Sequence, residues 1–395
     1  MATPPFQRIN LVTPATFSAR LRELELLDPV GRGLTYWATE AAYVIDAAMA
    51  NQLLEAAAAI HKRCEEAAMR LVGSGDYDRF AIASAGMREA IAKSWRAKES
   101  PLYGRMDFSF DAEGTPMLLD YESEPLFGLC EASYLQWEWF EALQAATGLH
   151  EDNQENLIHE GFTALIPKLN LPSSFAVACG GPVDSNGRPA DSNERFDAEY
   201  LSELCRAAGL QPRICSIQAI GWDRDAKAFV DDRDEVLAAM LKIYPWDWME
   251  DETNVEVLPA SRTRILPAAW TRLLGDKTMM ALLWHMFPVA PNLLPTFLER
   301  PSDAGPMVAK PRRGWDGEHV FLPGQPIAPV PEAEVGPLLH QAHCPLPVFE
   351  TDEGPVHAAV SVWMVGGAPA GLSFRESHGP VTGIDARFVP HILRG

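Results

Sequence analysis

From Tyr103 to Glu124 the chain reads YGRMDFSFDAEGTPMLLDYESE, and its apolar positions recur at every second residue. Met106, Phe108 and Phe110 share one side of a predicted strand, with Arg105, Asp107 and Ser109 on the other. Asp111-Ala112-Glu113-Gly114 predicts a hairpin turn in which Gly114 takes a positive φ. In the returning strand Met117, Leu119 and Tyr121 alternate with Leu118, Asp120, Glu122 and Glu124. Closing the hairpin puts Arg105 and the acids on one face. Such a face is either a solvated strand surface with an ion pair or a divalent-metal site beside an arginine, because hard cations take carboxylate oxygens.

Elsewhere the period is mostly helical. Residues 37 to 72 are Ala- and Leu-rich without Pro or Gly and predict one or two amphipathic helices. FGLCEASYLQWEWFEALQAA predicts another helix. SSFAVACGG predicts a short buried strand, followed by a loop rich in Gly, Pro, Asp and Asn. RFDAEYLSELCRAAGL then reads as a helix and QPRICSI as a strand, so strand, helix and strand indicate a small parallel α/β lobe. DEVLAAMLKIYPWDWM predicts a helix stopped by Pro245, and DKTMMALLWHMFP a helix capped by Asp276 and stopped by Pro288. PMVAKPRRGWDGEHVFL predicts strand, glycine loop and strand, and AAVSVWMVGGAPAGLSFRES a hairpin around Gly366-Gly367.

Charge narrows the classes of partner. Among 395 residues the 54 acids exceed the 33 lysines and arginines by 21, which argues against nucleic acid and anionic membranes and tolerates a cationic substrate. MATPPFQRINLVT has neither the basic start nor the apolar core of a signal peptide, and no apolar run approaches the roughly 20 residues of a membrane span. Six scattered cysteines without a C-x-x-C pair suit buried thiols in a reducing cytoplasm. The expected location is therefore cytoplasmic.

Four cations are candidates for chemistry. Lys277 begins its helix, where the macrodipole disfavours a cation; a nearby anion explains it, and so does a solvated side chain bending away. Lys310 ends a strand before PRRGWDG, where a lysine beside a glycine turn can hold phosphates. Arg375 shares the polar face of its strand with Ser373 and is either an exposed arginine or a ligand for an acid. With Arg105 and the carboxylates these residues make a set that can position ATP and stabilise phosphoryl transfer.

The order and wording of the segments resemble the synthetase part of the glutathionylspermidine synthase family, a branch of the ATP-grasp ligases. YGRMDF, LLDYESEPLFGLCEASYLQW, KIYPWDWM, ILPAAWTRLLGDKTMMALLWHMFP, MVAKPRRGWDGEHV and LPVFETDEGPVHAAVSVWMVGGAPAGLSFRES carry the likeness, which is looser before about residue 36 and over 165 to 240. The resemblance implies an α/β (α+β) fold, circularly permuted ATP-grasp with a small parallel pre-ATP-grasp lobe. It divides one synthetase domain into a metal-binding lobe over 1–160 and 335–395, an α/β lobe over 165–260 and an ATP lid over 261–334. By position it implies that Arg105 faces the transferring phosphoryl group and that Asp107, Asp120 and Glu122 hold two Mg²⁺. Lys277 and Lys310 would contact ATP phosphates, with Gly314 and Gly317 in the loop closing over them. Gln341 would lie at the adenine hinge and Arg375 near the acid substrate.

Three departures from the family pattern stand out. Asp120 and Glu122 replace a usual Glu and Asn, Trp315 and Asp316 replace the usual lid residues, and no segment matches the amidase domain of bifunctional members. The expectation is an ATP-dependent carboxylate–amine ligase without the opposing hydrolysis, taking a small-molecule acid and an amine such as a polyamine. The rival is a non-catalytic nucleotide- or polyamine-binding protein on a degenerate fold.

Overall fold

The computed structural model describes residues 4–24, 36–124, 128–180, 194–252, 255–326 and 336–395. The fold is mixed α/β, as expected. A six-stranded antiparallel sheet runs through its centre in the order Arg387–Val389, Ala368–Ser377, Gly354–Val365, Tyr103–Phe110, Pro116–Glu122, with Val348–Thr351 pairing beside Gly354–Val365. Both predicted hairpins form, and Gly114 takes φ 82°. Period-2 alternation sorts the two faces. Met106, Phe108, Val360, Val362 and Phe374 are fully buried in a core shared with the helix Ala47–Ser74. That helix buries Leu53, Ala57, Ile60, Cys64 and Leu71 on one stripe. It ends where Gly75, at φ 71°, donates its N–H to the Leu71 carbonyl.

The first prediction that fails is the helix start at residue 37. Ala41–Asp46 is a strand between Phe6–Asn10 and His391–Arg394, and the helix begins only at Ala47. Tyr43, Val44 and Ile45 favour extended backbone, and partners hundreds of residues away complete the pairing.

A four-stranded parallel sheet has the order Arg264–Leu266, Ala239–Ile243, Ser174–Cys179, Gln211–Ser216, with the helix Glu194–Ala207 between two of its strands in the chain. The predicted helix through 234–245 is thereby corrected: AMLKI is a strand buried at every position, and the helix Trp246–Glu252 follows Pro245. A strand covered on both faces is apolar throughout, so its sequence lacks a distinguishing period.

The third layer is a small antiparallel sheet, Thr296–Phe297, Leu338–Ala342 and Met307–Pro311, with Lys310 next to its end. The strand predicted after the glycine loop shrinks to one bridge between Ala309 and Phe321. All six cysteines are free thiols, five of them buried and Cys344 half-buried. Among the described residues no helix is long and apolar enough to cross a membrane.

Candidate functional site

The ten residues singled out in the sequence come together. Arg105, Asp107, Asp120, Glu122, Lys277, Lys310, Gly314, Gly317, Gln341 and Arg375 all line one cleft of about 150 Å³. The cleft lies between the polar face of the central sheet and the small antiparallel sheet, with the glycine loop across it.

Strand register builds its floor. Arg105 pairs with Glu122 and Asp107 with Asp120, after which a bulge sets Phe108 opposite Leu118. Leu119 is the extra residue. Strict alternation therefore misplaces Leu118, which turns into the core at 1% exposure, while Leu119 lines the cleft. On the other flank Ser361 pairs with Asp107, and Arg375 lies one strand further out, opposite Ala359.

This is no solvated face: Arg105 is 5% exposed. Its Nε donates to Asp107 Oδ1 at 2.9 Å, and its Nη2 donates to Asp107 Oδ2 and to Glu122 Oε2, each at 3.1 Å. The Trp363 ring lies 6.0 Å from the guanidinium carbon. Ser361 Oγ donates to Asp107 Oδ1 at 2.6 Å, and Arg375 Nη2 stands 3.5 Å from Oδ2. Burial pushes the Asp107 carboxyl up, but Arg105, Arg375 and the Ser361 hydroxyl outweigh it and hold it at about 2. Burial wins at Glu122, whose carboxyl is raised although Arg105 and Lys277 oppose the shift.

The lysines enter from the opposite side. Lys277 precedes the helix Thr278–Met286 as its N-cap, one residue later than the cap expected at Asp276; Asp276 Oδ1 nevertheless accepts the Thr278 N–H at 2.9 Å. Lys277 does not bend into solvent: it is 7% exposed. Its Nζ lies 2.7 Å from Asp120 Oδ2 and donates to the Gly314 carbonyl at 3.0 Å. Burial opposes its charge, yet Asp120 and Glu122 raise its pKa. Lys310 is different: its Nζ donates to the Leu119 carbonyl at 2.6 Å and to Gln341 Oε1 at 3.0 Å, and burial lowers it to about 8.

The glycine loop lies across the cleft. Gly317, at φ 69°, packs so closely that a Cβ would stand 2.7 Å from the Thr382 carbonyl oxygen. Trp315 meets Trp248, on the helix Trp246–Glu252, edge to face at 6.4 Å.

Glu124 does not join this floor. It lies past the strand end, accepts the Trp246 N–H, and stands 3.9 Å from Lys242 Nζ. Lys242 is fully buried, donates to the Tyr244 carbonyl at 2.6 Å and lies 4.0 Å from the Trp246 ring centre. Arg272 continues this buried group with Glu250 and Asp276, each at 3.1 Å. Sequence reasoning missed Ser361, the Leu119 carbonyl and Lys242. The hairpin alternation held a signal for Ser361, two residues from Trp363, whereas Lys242 sat inside a segment misread as helix.

Chemically, the cleft offers four cations to phosphate and carboxylate oxygens, and the three carboxylates of its sheet floor, Asp107, Asp120 and Glu122, to a hard cation. Among the described residues no three acidic, His or Cys side chains are arranged to hold a metal by themselves. The donor set fits an ion that brings phosphate oxygens with it, as magnesium does, rather than a ready-made cage.

Comparison with known proteins places the chain in a family. Residues 27–394 match the family described as glutathionylspermidine synthase preATP-grasp. A putative acid–amine ligase of Haemophilus influenzae is 28% identical over 379 residues, covering 92% of each chain. A trypanothione synthetase of Crithidia fasciculata is 22% identical over 75% of this chain and 48% of its own length. The bifunctional glutathionylspermidine synthetase/amidase of Escherichia coli is 22% identical over 51% of this chain and 35% of its own length. The chain thus spans about half or less of these two longer relatives. A glutathione synthetase-like effector of Globodera pallida shares the fold, with a TM-score of 0.57 over 97% of this chain and all of that one, at 10% identity.

Proposed function

The chain belongs to the glutathionylspermidine synthase pre-ATP-grasp family, and on that premise we propose that it is an ATP-dependent carboxylate–amine ligase. The observation that carries the reading is the convergence of Arg105, Lys277, Lys310, Arg375 and three carboxylates on one cleft. In this reading a substrate carboxylate oxygen attacks the γ-phosphorus of ATP, ADP leaves, and an acyl phosphate forms. The amine then attacks the acyl carbon and gives up a proton, and phosphate departs with its bonding electrons and carries that proton away, to leave an amide.

In this reading Arg105 supplies a rigid guanidinium to the phosphoryl oxygens as charge spreads over them. Lys310 and Lys277 hold the phosphates, and Arg375 steers the incoming carboxylate. A magnesium ion bound at Asp107, Asp120 and Glu122 would neutralise phosphate charge and align the transfer. Gly314 and Gly317 let the loop lie close over the reacting groups and exclude water, which would otherwise consume the acyl phosphate. Gln341, which lines the same cleft, would meet the base. The protein's share is positioning and electrostatics, without a covalent nucleophile.

Glutathione is the first acid to test and spermidine the first amine, because related synthetases carry glutathionylspermidine in their names. The test is ADP release with acid and amine supplied separately and together: release requiring both supports the ligase. Nucleotide binding without release for any acid–amine pair supports the non-catalytic rival.

A further inference from the structure

The cleft holds its charges against one another. Asp107 is gripped by Arg105, Glu122 by the same guanidinium, and Asp120 by Lys277. These are the carboxylates a metal ion needs and the cations that phosphates need. We propose that Lys277 and Asp120 act as a charge-exchange pair: Asp120 turns to the metal as Lys277 turns to phosphate, so neither ligand alone finds a vacant partner. This inference rests on the reading of the cleft as a metal–nucleotide site.

Three observations carry it. The pair is close and sheltered, at 2.7 Å with side chains 8% and 16% exposed, so neither charge has bulk water as an easy alternative. Lys277 caps the helix Thr278–Met286 and Asp120 comes from the central sheet, so the contact crosses the cleft and its loss frees both walls. Lys310, by contrast, bonds among the described residues only neutral oxygens, the Leu119 carbonyl and the Gln341 amide. It can meet a phosphate without breaking an ion pair and is the natural first anchor for nucleotide.

Exchange has a consequence that ordinary ligation lacks. If Asp120 were only a metal ligand, its removal would strengthen metal-free nucleotide binding no more than the loss of another cleft carboxylate does. If Lys277 were only a phosphate ligand, its removal would strengthen binding of metal alone no more than the loss of another cleft cation does. Under exchange, each removal strengthens binding of the other member's ligand, because a competitor has gone.

The test uses the full chain and equilibrium binding, with no turnover. With EDTA present, Asp120→Asn is expected to bind ATP roughly tenfold or more tightly than the wild type. With no nucleotide present, Lys277→Met is expected to bind Mn²⁺ more tightly by a similar factor. Asp316→Asn controls for general charge, since Asp316 lines the same cleft and Asn tolerates its φ of 47°. An ATP affinity in Asp120→Asn no greater than in Asp316→Asn overturns the exchange, as does unchanged Mn²⁺ binding in Lys277→Met. The two variants read opposite halves of the pair, so loss of fold in one leaves the other to decide. A wild type that binds no ATP with or without metal overturns the ligase reading itself. One that binds Mn²⁺ alone and metal-free ATP as tightly as the two together overturns only the exchange.

Discussion

Arg105 grips Asp107 at both carboxylate oxygens, Nε to Oδ1 at 2.9 Å and Nη2 to Oδ2 at 3.1 Å, from the same face of one strand. Two residues of spacing make that contact possible, and burial gives it consequence. Arg105→Ala would leave Asp107 and Glu122 without their shared cation and cost roughly 3–5 kcal/mol of stability. The informative change is Arg105→Lys, which keeps the charge and loses the fork. We expect kcat to fall about 10²–10³-fold with ATP affinity retained. Near-normal kcat in the folded variant would remove Arg105 from the chemistry.

Lys310→Met separates binding from folding. A buried lysine that bonds only neutral oxygens gives the unliganded protein little, so its apo melting temperature should hold or rise. The upward shift on adding Mg·ATP, which follows from binding to the native state alone, should largely vanish. An undiminished shift would place Lys310 outside the nucleotide site.

Glu124 and Asp120 should behave differently although the sequence placed them on one face. Glu124→Ala takes from fully buried Lys242 the carboxylate 3.9 Å away and leaves it beside Arg272, and should cost roughly 3–5 kcal/mol. Adding Lys242→Met should recover most of that loss. Denaturant unfolding of the single and double variants checks this, and additive losses would show that the two side chains do not interact.

Acid lability should trace in part to His61. Its Nδ1 lies 2.7 Å from the Tyr121 hydroxyl, tying the long helix to the hairpin, and burial lowers its pKa from 6.5 to about 4. The unfolded imidazole takes up its proton first, so stability is lost as pH falls from about 6.5 through 4, by on the order of 3 kcal/mol. His61→Gln keeps a hydrogen-bonding group without that titration and should lower the pH midpoint of acid unfolding. An unchanged midpoint would assign the lability elsewhere.

What the sequence revealed depended on whether contacts were local in period. Alternation in 103–122 and 358–377 gave both central hairpins, and with them the positions of Arg105, Asp107, Asp120, Glu122 and Arg375. It could not show the bulge at Leu119, because a single extra residue changes pairing without changing composition. Nor could it show that Ala41–Asp46 is a strand, since a C-terminal strand completes its sheet. AMLKI failed for a third reason: complete burial erases periodicity. The pairing of Lys277 with Asp120 was likewise hidden, because it joins two elements whose approach only the assembled fold defines.

The central claim, carboxylate activation by ATP, is tested most directly by following oxygen. The acid substrate is supplied with heavy oxygen in its carboxylate, together with the amine and Mg·ATP, and the released phosphate is analysed by mass spectrometry. An acyl phosphate predicts one labelled oxygen in each phosphate, with label appearing only as amide forms. Phosphate that carries no label while amide accumulates would contradict the account.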